Sequence, residues 1–308
     1  MGPTIDSAAA AIPHRSLPVA LVVSLRPRQW LKNLLVFAAP LAAGKVFAPD
    51  VLLPTLIAFV AFCLVSSATY LINDVRDMEV DRQHPVKRMR PIPAGQLPRG
   101  VAVATAIGLT LAALVLAWWD RPELAWVVLA YVAFTLAYSL MLKHEPVIEL
   151  ALLAMGFLLR AIAGGIASNL PISQWFLIVA GFGSLFMAAG KRYSELAGRI
   201  GESGTDDRPR RRSLDGYTAT YLRFVWGTAA AVTITSYCLW AFEVGAAPST
   251  LPWAAWSVLP FVLAVLRYGV EIDRGQAEAP EDAVLGDRIL LLIGLAWLVL
   301  FALGALGV

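Results

Sequence analysis

Charged residues are scarce in this chain. Asp, Glu, Lys and Arg make up 15% of its 308 residues, whereas 58% of the residues are hydrophobic. Soluble globular domains carry about 25% charged residues, so the composition excludes that class and predicts an integral membrane protein. The formal net charge is only +3, and no nucleic-acid partner is expected.

Cysteine and histidine are too few and too scattered to build a metal or redox site. Cys63 and Cys238 both lie within apolar runs and are interpreted as buried packing residues. His14, His84 and His144 are spread over separate polar segments. This distribution excludes a disulfide framework and a zinc or haem site of the usual spacing.

The common sequence signatures of nucleophilic catalysis and nucleotide hydrolysis are also missing. The chain contains no G-x-S-x-G motif, no evident nucleophile-and-base pair and no Walker loop. This absence fits a reaction whose nucleophile already carries charge. Such a reaction depends on positioning and charge stabilisation more than on proton transfer.

Nine apolar segments approach the ~20 residues that a helix needs to cross a bilayer. They lie near residues 30–47, 52–72, 100–119, 123–142, 146–166, 173–190, 219–243, 252–270 and 287–307. The first is the weakest, because Pro40, Gly44 and Lys45 interrupt it. The predicted fold is an all-α membrane protein with nine transmembrane helices, in which a flexible tail (1–25) precedes one transmembrane domain (26–308).

Basic residues are concentrated on one side of the predicted membrane domain. Of the 25 Lys and Arg, 22 lie on the side of the N-terminus, whereas Lys45 and Arg121 lie opposite and Arg160 lies within the fifth span. By the positive-inside rule the N-terminal side is cytoplasmic. The predicted location is the plasma (inner) membrane, with two long polar loops, about 73–99 and 191–218, facing the cytoplasm.

The most distinctive segment, N-D-V-R-D-M-E-V-D-R-Q-H-P-V-K-R-M-R-P-I-P-A-G, begins at Asn73. If a helix continues through it, Asp74, Asp77 and Asp81 lie at i, i+3 and i+7, within roughly 60° of one face. Carboxylates that close repel one another and need a cation. Hard oxygen ligands suit Mg²⁺, which bridges one or two carboxylates to substrate phosphates. The spacing therefore predicts that these three aspartates are catalytic residues that hold Mg²⁺.

A basic cluster follows the aspartates and offers ligands for phosphate. Lys87, Arg88 and Arg90 are candidate substrate-binding residues for this reason. The alternative is an ordinary charged loop, in which the aspartates pair with Arg76, Arg82 and Lys87 at a solvated helix end. The one-sided spacing and the position at the end of an apolar span favour the metal site.

A second polar cluster, G-K-R-Y-S-E-L, follows span six. Lys191 and Glu195 share a helix face at i, i+4, which a local salt bridge alone would explain. In the functional interpretation the cluster faces the aspartates: Lys191 and Arg192 bind phosphate, and Tyr193 and Glu195 bind hydroxyls or metal-bound water. The polar residues 198–213 beyond it carry three consecutive arginines, and either contact anionic lipid headgroups or form a solvated loop.

Three more polar residues lie within or beside apolar spans. An intramembrane arginine normally faces a bundle interior and has a partner, so Arg160 either neutralises a lipid phosphate or pairs with a carboxylate such as Glu149. The nearby pair 164–165, both glycine, allows close helix approach and is interpreted as packing. Lys32 and Asn33 lie at the cytoplasmic boundary, where Lys32 is either an interfacial anchor or a phosphate ligand; both are candidate substrate-binding residues.

The first motif, N-D-x-x-D-x-x-x-D followed by H-P-x-K-R-x-R-P-I-x-x-G, resembles the first signature of the UbiA superfamily of intramembrane prenyltransferases. The resemblance extends over nearly the whole chain, because nine spans with two cytoplasmic motif segments match that family. It implies a helical bundle around a central cavity that opens to the cytoplasm. It also implies that Asp74, Asp77 and Asp81 bind Mg²⁺ and diphosphate, with Asn73 contacting the substrate.

The second motif departs from the family pattern. Most members carry another D-x-x-x-D after span six, where this chain has K-R-Y-S-E, and the exchange of a carboxylate for a cation suggests a donor with an extra phosphate. With K-H-E-P-V-I-E (143–149), R-A-I-A-G-G (160–165) and Y-L-R-F-V-W (221–226), the chain resembles the phosphoribosyl-transferring branch of the family. That resemblance implies transfer from 5-phosphoribosyl 1-diphosphate (PRPP) to decaprenyl or another polyprenyl monophosphate, for cell-wall arabinogalactan precursors.

Two other functions stay open at this level. One is a UbiA-type prenyltransferase that moves a prenyl group from prenyl diphosphate to an aromatic or other small acceptor. The other is a membrane transporter in which Arg160 and the aspartates form an ion path. Against the transporter, the charges gather at one membrane face, whereas a translocation site should lie near the midplane. Monomer and homo-oligomer are both compatible with the sequence.

Overall fold

The computed structural model describes residues 15–201, 216–244 and 251–306, and every regular element within these ranges is helical. In chain order the α-helices are α1 (Leu17–Leu25), α2 (Ala38–Ala42), α3 (Pro49–Arg76), α4 (Met78–Gln83), α5 (Arg99–Asp120), α6 (Pro122–Ala137), α7 (Ile148–Ala167), α8 (Gln174–Gly201), α9 (Ala219–Val244), α10 (Trp253–Trp256), α11 (Val258–Asp273), α12 (Pro280–Gly286) and α13 (Arg288–Leu306). Two 3-10 helices (Pro27–Phe37 and Lys87–Met89) and a π-helical turn (Tyr138–Leu142) join them.

Eight helices in the described ranges are long and apolar enough to cross a membrane. They are α3, α5, α6 with its π-helical turn, α7, α8, α9, α10 together with α11, and α13. This confirms the predicted class of an all-helical, multi-pass integral membrane protein.

The first predicted span, 30–47, differs from the other eight. It forms the 3-10 helix Pro27–Phe37 followed by the short α2, not one long α-helix. Pro40 lies within the short α2, and its missing backbone N–H removes one helical hydrogen bond there. Gly44 adopts a positive φ of 65° and ends the segment in a turn.

This irregular segment nevertheless passes from one end of the bundle to the other. Arg26 contacts Asp74 in the last turn of α3, and Gly44 packs against the backbone of Ala305 near the end of α13. Because α3 begins at Pro49 and reaches Asp74 at its other end, the segment follows the whole length of α3. The described chain therefore has eight long apolar helices and one irregular segment that lies along α3.

The residues expected to form a flexible tail, 1–25, are partly ordered. Leu17–Leu25 form α1, and its Ala20 is buried in an apolar cluster with Ala68 and Leu71 of α3. Residues 1–14 lie outside the described ranges, as do 202–215, which include most of the polar segment 198–213. The predicted loop 191–218 begins later than expected, because α8 continues to Gly201.

Close backbone packing holds the irregular segment against α7. A Cβ built on Gly164 would collide with the carbonyl oxygen of Val36, and one built on Gly165 would approach Ile172 and the methyl group of Ala39. The pair of glycines is therefore a packing feature, as its sequence predicted. It fixes the Pro27–Phe37 segment beside α7, where polar side chains of both elements meet.

Candidate active site

The aspartate motif lies where α3 ends and α4 begins. The chain bends at Asp77, which has φ −87° and ψ 7°, but helical hydrogen bonds continue across the bend. The amide of Asp77 donates to Asn73 at 2.9 Å and that of Asp81 donates to Asp77 at 2.8 Å. Asp74 and Asp81 are each only 3% exposed, whereas Asp77 is half-exposed. Asp74 and Asp81 therefore share one buried face, as their spacing predicted, whereas Asp77 does not.

One arginine connects the two buried carboxylates. Arg90 Nη1 lies 3.2 Å from Asp74 Oδ1 and 2.7 Å from Asp81 Oδ2. Arg26 Nη2 donates to the same oxygen of Asp74 at 2.5 Å, and Lys87 Nζ lies 3.9 Å from Asp81. Two anions thus face three cations, which leaves a net positive site suited to an anionic ligand.

The middle aspartate has a different cation. Lys143 Nζ lies 3.5 Å from Asp77 Oδ1, and it comes from the segment between the π-helical turn and α7. A second contact joins the same elements, because Arg76 Nη2 donates to the carbonyl of Leu140 at 3.2 Å. Sequence reasoning did not assign Lys143 or Arg26 to the site, although each lies in a basic segment that the sequence offered.

Two of the three carboxylates, those of Asp74 and Asp81, are placed to bind one Mg²⁺ ion together. No group of three His, Cys, Asp or Glu side chains converges within the described ranges. However, Asp74 and Asp81 both reach one nitrogen of Arg90, so a single cation can neutralise both carboxylates at once. Mg²⁺ commonly uses one or two carboxylates and takes its other ligands from water and substrate phosphates. These residues meet that requirement.

The other basic residues of the first motif follow on a short 3-10 helix, Lys87–Met89. The ring nitrogen Nδ1 of His84 accepts the amide protons of Val86 and Lys87 at 3.2 and 3.3 Å, which fixes the turn. Arg88 Nε is buried and has no hydrogen-bond acceptor within the described part of the chain. An arginine donor without an acceptor is available to bind a phosphate oxygen.

In the second motif, Arg192 is engaged by protein groups on every side. Its Nε and Nη2 donate to the two oxygens of Glu149, each at 2.8 Å, and Nη2 also donates to the Tyr138 hydroxyl at 2.9 Å. Nη1 donates to Glu195 at 2.5 Å. Arg192 therefore connects α8 to α7 and to the π-helical turn. Glu195 is part of the same hydrogen-bonded cluster.

Tyr193 belongs to a second polar cluster on another side of α8. Its hydroxyl donates to Asp273 Oδ1 at 3.2 Å and accepts from Arg223 Nη2 at 2.6 Å. Within the described ranges, the side chains of Arg192 and Tyr193 bond to these two clusters and not to Asp74, Asp77 or Asp81. Lys191 is half-buried on the same helix.

Arg160 and Asn33 form a polar contact deep in the bundle. Arg160 Nε donates to Asn33 Oδ1 at 2.7 Å, and its other donors reach Gly156 and the hydroxyl of Tyr131. The suggested pairing with Glu149 is wrong, because that carboxylate pairs with Arg192 instead.

Asn33 is buried, whereas its neighbour Lys32 is partly exposed. Asn33 Nδ2 contacts Ser66, eight residues before Asp74 on α3 and therefore about 12 Å deeper at 1.5 Å per residue. Lys32 Nζ donates to Gln29 at 2.6 Å on its own segment. The Arg160–Asn33 contact thus lies below the aspartates, in the interior of the bundle.

A tyrosine holds the segment that carries Lys143. Val147, the residue before α7, has a positive φ of 68°, which is strained for a β-branched residue. Its amide donates to the hydroxyl of Tyr217 at 2.7 Å. Burial raises the pKa of Tyr217 to about 12, and the bond from Val147 opposes that rise. The phenol therefore stays neutral near pH 7 and keeps the turn in place.

Curated relatives cover the same length as this chain. It is 48% identical over 299 residues to the decaprenyl-phosphate phosphoribosyltransferase of Mycolicibacterium smegmatis, an alignment that spans 93% of this chain and 92% of the relative. It is also 48% identical over 292 residues to the protein of that name in Mycobacterium tuberculosis, covering 93% and 94%. A relative of the same name in Corynebacterium glutamicum is 47% identical, with 92% and 86% covered.

Solved structures share the fold at much lower identity. A UbiA homolog from Archaeoglobus fulgidus bound to GPP and Mg²⁺ superposes with a TM-score of 0.68 at 18% identity, covering 94% of this chain and 100% of that one. The same homolog bound to DMAPP and Mg²⁺ gives 0.67 at 18% identity, covering 94% and 99%. The sequence model of the UbiA prenyltransferase family matches residues 34–292, so this chain belongs to the UbiA prenyltransferase family.

Proposed function

We propose that this protein transfers a 5-phosphoribosyl group from PRPP to a polyprenyl monophosphate, decaprenyl phosphate in the first instance, and releases pyrophosphate. The observation that carries the proposal is the identity of 47–48% with three relatives named decaprenyl-phosphate phosphoribosyltransferase, over 92–93% of this chain. An alignment of that length includes both motif segments and the helices that position them. The enzyme is then a glycosyltransferase of the UbiA type.

The aspartate cluster supplies the site for the donor's pyrophosphate. Asp74 and Asp81 would hold Mg²⁺, with Asp77 at the exposed edge of the cluster. When bound, Mg²⁺ neutralises the diphosphate and stabilises it as a leaving group. Structural neighbours bound to Mg²⁺ and prenyl diphosphates support a divalent metal in this fold.

The basic residues around the cluster orient the donor. Arg26, Lys87, Arg90 and Lys143 already contact the three carboxylates, so a phosphate placed among them would meet charged donors from three separate segments. Arg88 brings a donor that lacks an acceptor in the described structure. Charge-assisted bonds of this kind fix the anomeric carbon relative to the attacking group.

The acceptor needs no general base. A polyprenyl monophosphate is already anionic, so its oxygen can attack the anomeric carbon while the pyrophosphate departs from the opposite face, which inverts that carbon. The lack of a nucleophile-and-base pair in the sequence agrees with this chemistry. The apolar tail would lie between membrane helices.

Orientation and cellular role follow from the same proposal. The basic end of the bundle, which carries the aspartates, faces the cytoplasm of the plasma membrane by the positive-inside rule. PRPP is a soluble cytoplasmic metabolite and would reach the aspartates directly. The product, polyprenylphosphoryl-5-phosphoribose, would serve as a precursor for cell-wall arabinogalactan.

The test is a reconstituted reaction. Purified protein in detergent is incubated with PRPP labelled in the ribose, decaprenyl phosphate and Mg²⁺, and lipid-extractable label is counted over time. Lipid-linked label that depends on all three components supports the proposal. Consumption of a prenyl diphosphate without use of PRPP would instead make the protein a prenyltransferase. Turnover in detergent, where no membrane gradient exists, excludes a transport mechanism.

A further inference from the structure

An apolar groove opens between α8, α9 and α11, and none of the candidate active-site residues lines it. Its volume is about 390 Å³. Phe186, Ala230, Val265 and Leu266 form its apolar walls, and Asp273 and Arg274 lie at one end. Trp226, the last residue of the segment Y-L-R-F-V-W, lines it as well. The proposed transferase function gives this tryptophan no role.

The groove runs inward from the charged end of the bundle. Arg223 Nη2 donates to Asp273 Oδ1 at 2.9 Å, which places the start of α9 beside the end of α11. Trp226 follows Arg223 by three residues and so lies about 4.5 Å deeper, and Ala230 lies about 10 Å deeper. A ligand in the groove would therefore have its polar part at Asp273 and Arg274 and its apolar part between the helices.

A buried donor without an acceptor lies just below that polar end. The indole Nε1 of Trp226 is buried and has no hydrogen-bond partner within the described ranges. Leaving such a donor unsatisfied costs about 1–3 kcal/mol, so buried indole N–H groups nearly always meet an acceptor. Trp226 lines the groove, so an oxygen of a ligand bound there, one helical turn below the charged residues, could supply the missing acceptor.

The charges at the polar end are balanced. Arg223 pairs with Asp273, and Arg274 lies 3.5 Å from Glu271. Arg274 remains 58% exposed, and its contact with Glu271 is too long to occupy its five N–H donors. The guanidinium can therefore bind a phosphate, while the exposed carboxylate of Asp273 can meet an ammonium group.

From these observations we infer that the groove binds a membrane glycerophospholipid with a zwitterionic headgroup. Its phosphodiester lies at Arg274, an ester carbonyl accepts the Trp226 N–H, and an acyl chain fills the groove along Ala230 and Val265. The polyprenyl phosphate proposed as acceptor does not fit equally well. It carries no oxygen below its phosphate and would leave the indole unpaired. The inference is independent of the proposed transferase activity.

The first test removes the donor and keeps the ring. Full-length protein in detergent is titrated with phosphatidylethanolamine, and bound lipid is counted by native mass spectrometry. Trp226→Phe is expected to weaken retention of the tightest-bound lipid at least tenfold. The control is Trp119→Phe on α5, whose side chain is 83% exposed to the surroundings of the bundle and should retain lipid as wild type does. Equal retention by both variants would overturn the inference.

A second variant fills the groove without depending on the hydrogen bond. Gly269 lines the groove, and a Cβ placed there would lie 3.7 Å from Trp226, an ordinary contact distance. Gly269→Leu therefore adds its side chain to the groove and should favour the helix, since leucine has the higher helix propensity. Gly294→Leu on α13, where a Cβ meets nothing within 4 Å, is the matched control.

Gly269→Leu is expected to abolish the tight lipid, and Gly294→Leu to retain it. Addition of polyprenyl phosphate should leave the lipid bound to the wild-type protein. Displacement of phosphatidylethanolamine by polyprenyl phosphate, or an unchanged lipid count in Gly269→Leu, would contradict the assignment. Helical content by circular dichroism and the size-exclusion profile in detergent serve as the measure of an intact fold for both variants.

Discussion

Arg192 and Glu149 form a two-point ion pair, with Nε and Nη2 of the arginine each 2.8 Å from one oxygen of the glutamate. The two side chains are only 1% and 0% exposed. The pair joins α8 to the first turn of α7, just after the segment that presents Lys143 to Asp77. This geometry predicts that the second motif supports the aspartate cluster indirectly, by holding the segment that carries Lys143 in place.

Glu149→Gln is expected to lower the free energy of unfolding by about 1.5–3 kcal/mol, because it removes one of the two carboxylates that balance the buried guanidinium, while Glu195 remains. Thermal unfolding in detergent measures the change. The matched control is Glu79→Gln, which removes a glutamate that also contacts arginines but is 65% exposed, and it should change stability by less than about 1 kcal/mol.

Thermal unfolding combined with the KM for PRPP distinguishes two roles for Arg192. If Arg192→Lys unfolds at a lower temperature and keeps the wild-type KM for PRPP, the arginine positions other residues. An unchanged unfolding temperature with a strongly raised KM for PRPP would instead support the sequence prediction that Arg192 binds a substrate phosphate.

Asp74→Asn and Asp81→Asn should each reduce Mg²⁺-dependent transfer on the order of 100-fold or more, since each removes charge from the shared cation site. Initial rates are measured against Mg²⁺ concentration, and the midpoint should shift upward for any residual activity. Asp50→Asn, in the first turn of α3 at its opposite end, is the control and should retain the wild-type rate. Full activity in Asp74→Asn would remove the basis of the proposed metal site.

Asp77→Asn tests the carboxylate that diverges from the other two. If its role is to orient Lys143, the variant should raise the KM for PRPP and leave the Mg²⁺ midpoint near that of wild type. If it binds Mg²⁺ directly, as the sequence predicts, transfer should be lost together with the response to Mg²⁺. Both interpretations require that Asp77→Asn has the same thermal unfolding curve as the wild-type protein.

Lys143→Ala and Lys191→Ala should both raise the KM for PRPP more than that for the lipid. Loss of a charge-assisted bond to phosphate is worth about 1.5–3 kcal/mol, which corresponds to roughly 10- to 100-fold in affinity. Initial-rate kinetics with each substrate varied in turn separate the two effects. Lys45→Ala, on the short connection at the other end of the bundle, is the control. A selective rise in the lipid KM would move these lysines to the acceptor.

The fold and the proximity of Asp74 to Asp81 could be predicted because both depend on local sequence. Apolar length located the spans, and the spacing of Asp74 and Asp81 placed them on one face of a helical turn. Neither inference needs to know which helix packs against which. The irregular 26–48 segment passes through the bundle, but its 3-10 geometry depends on how Val36 fits against Gly164 of α7.

The choice of partners for charged side chains could not be predicted. Arg192 and Arg160 each lie on an apolar helix, and the sequence alone allowed Glu149 to pair with either of them. Only the packing of α7 against α8 decides that Glu149 faces Arg192, which leaves Arg160 to Asn33 and Tyr131. The same holds for Lys143, whose contact with Asp77 joins residues 66 positions apart.

Gly164→Ala tests whether close packing of the irregular segment positions the deeper polar contact. A methyl group at this position meets the carbonyl of Val36, so the Pro27–Phe37 segment must move away from α7. Overpacking of this kind costs about 1–3 kcal/mol, and the movement should lengthen the bond between Asn33 and Arg160. The expected result is a lower unfolding temperature together with a reduced kcat.

Gly108→Ala on α5 is the matched control, because a Cβ there meets nothing within 4 Å. It should leave activity unchanged and stabilise the helix by up to about 1 kcal/mol, the difference in helix propensity between alanine and glycine. If Gly164→Ala unfolds and turns over as Gly108→Ala does, the segment and α7 are not held in the close contact described. The alignment of Asn33 with Arg160 would then need another cause.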